Sequence, residues 1–376
     1  MDLTITPEQR VVLDVADKVA KQLAPGYVER DLAGEFAWDV AKTIGDAGLL
    51  GLDVPEEAGG QGAGALLAGL VIERLSSADS VAATLLIQAA SAANMLHTQA
   101  QDRDLVDEWV PRLLAGTAAV SLAFTEGQSG SDLKNITTTA RRNGSGDWVI
   151  NGEKQSISVR ESQAVILLAQ AEEGPTLLFV PTDSTGFNRT PTPSLGRTTS
   201  GRATLFLDDV VVPASHVIGE PGSGLRKALS SLSTSRLHVS MGLIGLGRGA
   251  LEEAVEWVKE RETFGKPLAH RQGIAFPLVD HWTELEMCRL LCMQGLWRAD
   301  NGHEYKIDSA MVKARVPVAM SQLVHDCLIT FGHTGYTLEH PVQLRLRDVL
   351  GAELGEGPTN IQKMLLSRYL LGVNPG

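Results

Sequence analysis

Basic residues are in short supply: 33 Lys and Arg stand against 45 Asp and Glu, a formal net charge of −12. That balance argues against nucleic acid and against an anionic membrane surface as partners. An anionic ligand would need a local basic patch opposing the global charge. Cysteine is scarce as well, with only Cys288, Cys292 and Cys327. The first two are four residues apart, on one face of an expected helix. They read as small buried hydrophobes in a reducing compartment; metal ligands would want further ligands close by, so no metal is expected. No apolar run approaches the roughly 18 residues of a membrane span. There is no internal repeat, low-complexity tract or long linker. Met1-Asp2-Leu3-Thr4 lacks the basic start and apolar core of a secretory signal, so a cytoplasmic protein is the expectation.

What is present is a globular composition, 43% hydrophobic and 21% charged over 376 residues, enough for two or three packed units. Three regions differ in periodicity. Residues 1–117 read as helices: Thr6-Pro7-Glu8-Gln9 makes an N-cap with proline in the first turn, and Val11, Val12, Val15, Val19 and Leu23 follow at helical spacing. Helical patterns resume over 66–97 and 102–114, with Trp109 and Leu113 on one buried face. Residues 118–222 read as short strands over 118–124, 136–142, 148–150, 164–168, 176–180, 204–207 and 210–212. Turns at 143–147 and 172–175 separate them, as in a small barrel or sandwich. Residues 223–376 return to helices, with apolar stripes near 251–258 and 285–295 and longer patterns over 311–331 and 360–371, a four-helix bundle.

Six segments carry the chemistry. One is Thr125-Glu126-Gly127-Gln128-Ser129-Gly130-Ser131-Asp132, whose small residues let backbone approach a flat ring or a diphosphate. Another is Asn151-Gly152-Glu153-Lys154-Gln155-Ser156-Ile157-Ser158-Val159. A third is Arg261-Glu262-Thr263-Phe264-Gly265-Lys266-Pro267-Leu268 with Gln272 beyond it. The others are Ser235-Arg236, the turn Gly332-His333-Thr334-Gly335-Tyr336-Thr337, and Gly355-Glu356-Gly357-Pro358-Thr359, with Arg347-Asp348 upstream and Asp348 eight residues before Glu356. A lone Glu-Gly, an Asn-Gly turn or a Gly/Ser loop is generic. Together, at this length and in this order, the segments resemble the acyl-CoA dehydrogenase family over the whole chain. Departures from the family pattern are Gly127 for proline, Ser156 for tryptophan, Val159 for asparagine, Ile329 for glutamine, His333 for glycine and Pro358 for threonine.

The resemblance implies a mainly α fold with a central β-barrel: an N-terminal helical domain, a middle β-barrel and a C-terminal four-helix bundle. It implies FAD, held by Thr125, Ser131, Ile157, Ser158, Arg261, Phe264, Gln272, Gly332 and Thr359, with Arg261 and the Gly332 turn reaching a neighbouring subunit's flavin. Ser131, Arg236 and Gly357 are implied substrate contacts, and Glu356 the base that abstracts the α-proton of an acyl-CoA thioester while hydride leaves to the flavin. Some family members place their glutamate just before the arginine that Arg236 matches; here that residue is Ser235, which cannot be a carboxylate base. An electron-transfer flavoprotein is the implied acceptor, and a homodimer or homotetramer the implied assembly. Two alternatives stay open: an acyl group on an acyl carrier protein, and a flavin-poor partner subunit of a heteromeric enzyme.

Overall fold

The computed structural model describes residues 1–373. Its N-terminal region holds α1 (Pro7–Leu23), α2 (Tyr27–Ala33), α3 (Trp38–Asp46), α4 (Ala65–Ala78), α5 (Ser80–Gln99) and α6 (Arg103–Leu114). The sequence marks α1 correctly. The Thr6 hydroxyl accepts the Gln9 N–H at 3.2 Å, the Gln9 side chain accepts the Thr6 N–H at 3.0 Å, and Pro7 opens the first turn. Trp109 and Leu113 are buried on one side of α6, as expected.

The middle region carries β1 (Val120–Ala123), β2 (Thr139–Arg142), β3 (Trp148–Ser158), β4 (Ala164–Ala171), β5 (Gly174–Pro181), β6 (Phe187–Pro191), β7 (Arg202–Val212) and β8 (Val217–Ile218). Both expected turns are present: β2 meets β3 with Arg142 opposite Trp148, and β4 meets β5 with Ala171 opposite Gly174. The strand expected over 148–150 runs on to Ser158, carrying Asn151-Gly152 through a register shift instead of turning there. Gly152 makes this possible: at φ 145° a Cβ would sit 2.6 Å from Thr138 Cα.

The expected barrel does not close. Strand order is β6-β7-β3-β2-β4-β5-β8, with β1 parallel to β4, so β6 and the two-residue β8 are edges. Helices seal one face in place of further strands: residues of α5 and α6 share a core with β1, β4 and β5, and Trp109 meets Phe179 edge-on at 5.1 Å. The other face closes on its own apolar residues, among them Trp148, Ile150, Leu167 and Leu205.

The C-terminal region contains α7 (Gly224–Glu260), a hairpin of β9 (Glu262–Thr263) and β10 (Lys266–Pro267), then α8 (Gln272–Asp300), α9 (Lys306–Phe331), α10 (Pro341–Leu354) and α11 (Thr359–Leu371). α7, α8 and α9 pack on one another as the expected bundle requires, but the fourth place is taken by α10, which packs on α9 and α7; α11, which the sequence put there, lies on α9 and buries only Gln362. α10 escapes the periodicity because polar Gln343, Arg345 and Asp348 are buried among its apolar residues. α7 crosses α4 closely at Gly245, where a Cβ would lie 2.2 Å from the Glu73 carbonyl oxygen. Buried Glu73 takes Arg248 at 3.0 Å and Arg289 at 2.8 Å, tying α4, α7 and α8.

All three cysteines are buried and unpaired. Burial pushes the thiol of Cys288 up to about 11 and that of Cys327 to about 12, as for inert core residues. Among the described residues no helix is long and apolar enough to cross a membrane.

Candidate active site

The loop between α10 and α11 is only four residues, Gly355 to Pro358. To turn in that length, Glu356 (φ 53°) and Gly357 (φ 85°) both adopt left-handed backbone. Glycine tolerates this; a glutamate held there is an uncommon conformation that its surroundings must fix. They do so from three sides. Ser235 on α7 donates its hydroxyl to the Glu356 carboxylate, 2.9 Å from one oxygen and 3.0 Å from the other. Arg236 Nε donates to the Glu356 carbonyl oxygen at 2.9 Å, and Gln362 Nε2 to the Gly357 carbonyl oxygen at 3.1 Å.

Charge around the carboxylate is arranged in opposition. Burial raises the pKa of Glu356, while the Ser235 hydroxyl, then Arg236, Lys313 and Arg197, pull it down; burial prevails and the group lies above the usual carboxylate range. Lys313, wholly buried on α9, gives its Nζ to the Ala352 carbonyl oxygen at 2.8 Å, near the end of α10. Burial brings Lys313 down to about 8, with Glu356 opposing and Arg236 adding to the fall.

Asp348 sets the height of α10. Its carboxylate accepts the hydroxyls of Tyr27 and Ser80 and the backbone N–H of Arg197, joining α2, α5 and the β6–β7 loop. Arg347 pairs with Asp31 and donates to the Leu195 carbonyl oxygen at 2.9 Å. The Arg347-Asp348 pair thus docks the helix that ends in the Glu356 loop.

The segment after β1 is pinned to β3. The Thr125 carbonyl oxygen accepts the Gln155 N–H at 2.9 Å. Buried Glu126 takes Lys154 Nζ at 2.7 Å, the Thr137 and Thr138 N–H groups at 2.6 and 3.0 Å, and the Thr137 hydroxyl at 2.8 Å. Burial would raise the Glu126 carboxyl, but these donors outweigh it and hold it at about 2. Thr125 and Ser158 are half-exposed, Ile157 is buried and Ser131 is exposed. Ser156 (φ 58°) and Val159 (φ 60°) flank the pair 157–158, and Arg202 donates to the Ser156 carbonyl oxygen at 3.0 Å.

Not all expected site residues gather here. Glu356, Gly357, Arg236 and Thr359 meet at one loop, joined by Ser235. Arg261 follows α7 at its far end: twenty-six residues separate it from Ser235, about 39 Å of helical rise. Phe264 on the β9–β10 hairpin is 98% exposed at φ 51°, and Arg261, Gln272 and Gly332 are exposed. Glu126, Lys154, Lys313 and Arg197 are not among the residues that the sequence singles out. Glu126 and Lys154 lie within the 125–132 and 151–159 segments, and their opposite charges are a usable signal; Lys313 and Arg197 carry none.

Comparison with known proteins decides what this arrangement belongs to. Residues 6–117, 121–210 and 222–371 match the profiles described as acyl-CoA dehydrogenase N-terminal, middle and C-terminal domain. The chain belongs to the acyl-CoA dehydrogenase family. It is 31% identical to the probable acyl-CoA dehydrogenase YngJ of Bacillus subtilis, over 99% of this chain and all of that one. It is 32% identical to acyl-CoA dehydrogenase FadE12 of Mycobacterium tuberculosis, over 90% and 89%. The butyryl-CoA dehydrogenase structure from Megasphaera elsdenii superposes with a TM-score of 0.93 at 28% identity, covering 99% of this chain and 100% of that one. This acyl-CoA dehydrogenase is accordingly an FAD-dependent oxidoreductase acting on CH–CH bonds of acyl thioesters. Its residues fit the cofactor: Thr359 Oγ1 and Gln362 Oε1, beside the Glu356 loop, are buried and lack a hydrogen-bond partner, the condition of polar atoms awaiting a ligand.

Proposed function

We propose that Glu356 is the base of this acyl-CoA dehydrogenase and that the enzyme desaturates the α,β bond of an acyl-CoA. The observation that carries the reading is the Glu356 carboxylate, raised by burial yet held in one orientation by Ser235. α-Protons of thioesters are weakly acidic, and a base of raised pKa in a fixed position is suited to removing one. The α C–H electron pair becomes the new C=C bond and the proton passes to the Glu356 carboxylate. FAD, when bound, supplies the two-electron acceptor for the hydride that leaves the β-carbon.

Thr125, Ser131, Ile157, Ser158 and Thr359 hold the cofactor from the same chain in this reading. Arg261, Phe264, Gln272 and Gly332 hold it from a second copy, since α7 carries Arg261 about 39 Å from Ser235. Ser131, Arg236 and Gly357 bind the thioester, and the backbone N–H of Glu356 donates to its carbonyl oxygen, where charge develops. An electron-transfer flavoprotein takes the electrons onward.

The test is Glu356→Gln. The variant should retain FAD and fold while anaerobic bleaching of the flavin by acyl-CoA slows by about 10²–10⁴-fold, the usual worth of a positioned base. Undiminished bleaching overturns the assignment.

A further inference from the structure

The bulged end of β3 carries a cation that has no counter-charge. Ser158 on β3 stands opposite Arg202 on β7, and Ile157 opposite Ala203. Ile157 and Ala203 are buried in the core of the sheet, so strand alternation turns Ser158 and Arg202 together to the outer face. On that face Arg202 reaches back along β3. Its Nη1 donates to the Ser156 carbonyl oxygen at 3.0 Å, to Ser156 Oγ at 3.1 Å and to Ser158 Oγ at 3.5 Å. Ser156 stands at φ 58°, where the register of β3 against β7 shifts between Lys154 and Ile157. A serine here offers the guanidinium a hydroxyl where the tryptophan of the family pattern would offer a ring. Arg202 is half-buried. Among the described residues no carboxylate pairs with it: burial and then a second cation, Arg197, depress its pKa. The register does not depend on this side chain, because the ladder resumes past the bulge at Ile157–Ala203 and Ser158–Arg202.

Taking a cation partly out of water without a counter-charge is costly, and arginine cannot shed the charge at neutral pH. Hydride transfer brings two electrons and one proton to the flavin ring, which leaves the ring one negative charge richer. We propose that Arg202 is the counter-charge of the reduced flavin: it raises the reduction potential of bound FAD and so favours hydride transfer from the β-carbon. The inference rests on the proposed reading in which Ile157 and Ser158 hold the cofactor. Arg202 shares a face and a hydrogen bond with Ser158, so a ring seated on that segment lies within the reach of its field. A fixed charge beside the ring is one of the ways in which a protein tunes a flavin. Arg202 acts in this way as a tuning residue, and the carboxylate of Glu356 keeps the proton-transfer role.

The test is an anaerobic redox titration of the FAD-loaded enzyme against reference dyes. Arg202→Gln keeps a donor for the Ser156 carbonyl oxygen and removes the charge. It should lower the midpoint potential by about 30 mV or more, which is a tenfold fall in the affinity for reduced over oxidised FAD. Arg202→Lys, which keeps the charge, should stay near the parent value. An unchanged potential in Arg202→Gln overturns the proposal, and so does an equal fall in Arg202→Lys. A Gln variant that cannot be loaded with FAD overturns it too, because the side chain then builds the site instead of tuning it. Ser158→Ala tests the placement of the flavin separately, and should weaken FAD binding or shift the flavin absorption bands. A change in Ser158→Ala with an unmoved potential in Arg202→Gln removes the role of Arg202 alone. If neither variant alters the flavin, the placement of the cofactor at 157–158 fails, and the proposal with it.

Discussion

Ser235 governs how strongly the Glu356 carboxylate holds its proton. In the sequence it marks a position where a second carboxylate is missing. In the structure its hydroxyl spans both oxygens of Glu356. A hydroxyl donating to a carboxylate stabilises the charged form, so it counters the rise that burial imposes. Removing it in Ser235→Ala raises the pKa of the base further. The base works deprotonated, so the acid limb of the pH profile for flavin reduction should move to higher pH, by about one unit for a charged hydrogen bond of about 1.4 kcal/mol. Ser235→Thr should return the limb toward its original place. An unmoved limb in Ser235→Ala, with the rate simply scaled down, contradicts this role. No residue pattern in the chain reveals the contact, because it joins positions 121 residues apart.

Between elements, the strongest tie near the site is Glu126 with Lys154, which fastens the segment after β1 to the middle of β3. Both side chains are almost wholly buried, 2% and 0% exposed. Lys154→Met leaves a buried carboxylate without its counter-charge and should destabilise the folded state by about 3–5 kcal/mol. Urea unfolding of the FAD-loaded protein measures it, and Glu126→Gln added to Lys154→Met should recover part of the loss. A loss below about 1 kcal/mol would show that the other donors on Glu126, Gln128 Nε2, the Thr137 N–H and hydroxyl and the Thr138 N–H, suffice. How far the elements were legible follows from the same physics. α1 announces itself through a local capping box, and the β4–β5 hairpin through a local turn. β6 was missed because four of its five residues are exposed and leave no alternation. α10 was missed because buried Arg345 and Asp348 break its apolar stripe. Openness of the sheet lies in long-range pairing, which strand-length patterns do not record.

At the scale of the whole molecule, the proposed site is divided along α7. Glu356, Ser235 and Arg236 gather near one end; Arg261 and Phe264 stand at the other, about 39 Å away. The hairpin and α8 beside them present Phe264, Phe276, Val279, Trp282 and Met287 outward, all more than half exposed, an apolar surface of the kind that marks an interface. Two copies related by a two-fold axis bring the hairpin of each to the Glu356 end of the other only if the interface is isologous, and such pairing is the commonest form of assembly. Shared sites make a distinctive demand. Glu356→Gln and Arg261→Ala should each be inactive as pure assemblies, the second through loss of FAD. Co-expressed, they form mixed pairs in which one site combines an intact Glu356 from one copy with an intact Arg261 from the other. With random pairing, about a quarter of the normal activity should return. Activity that stays at the level of the separate variants, in mixed assemblies verified by differently tagged copies, would mean that each chain completes its site alone.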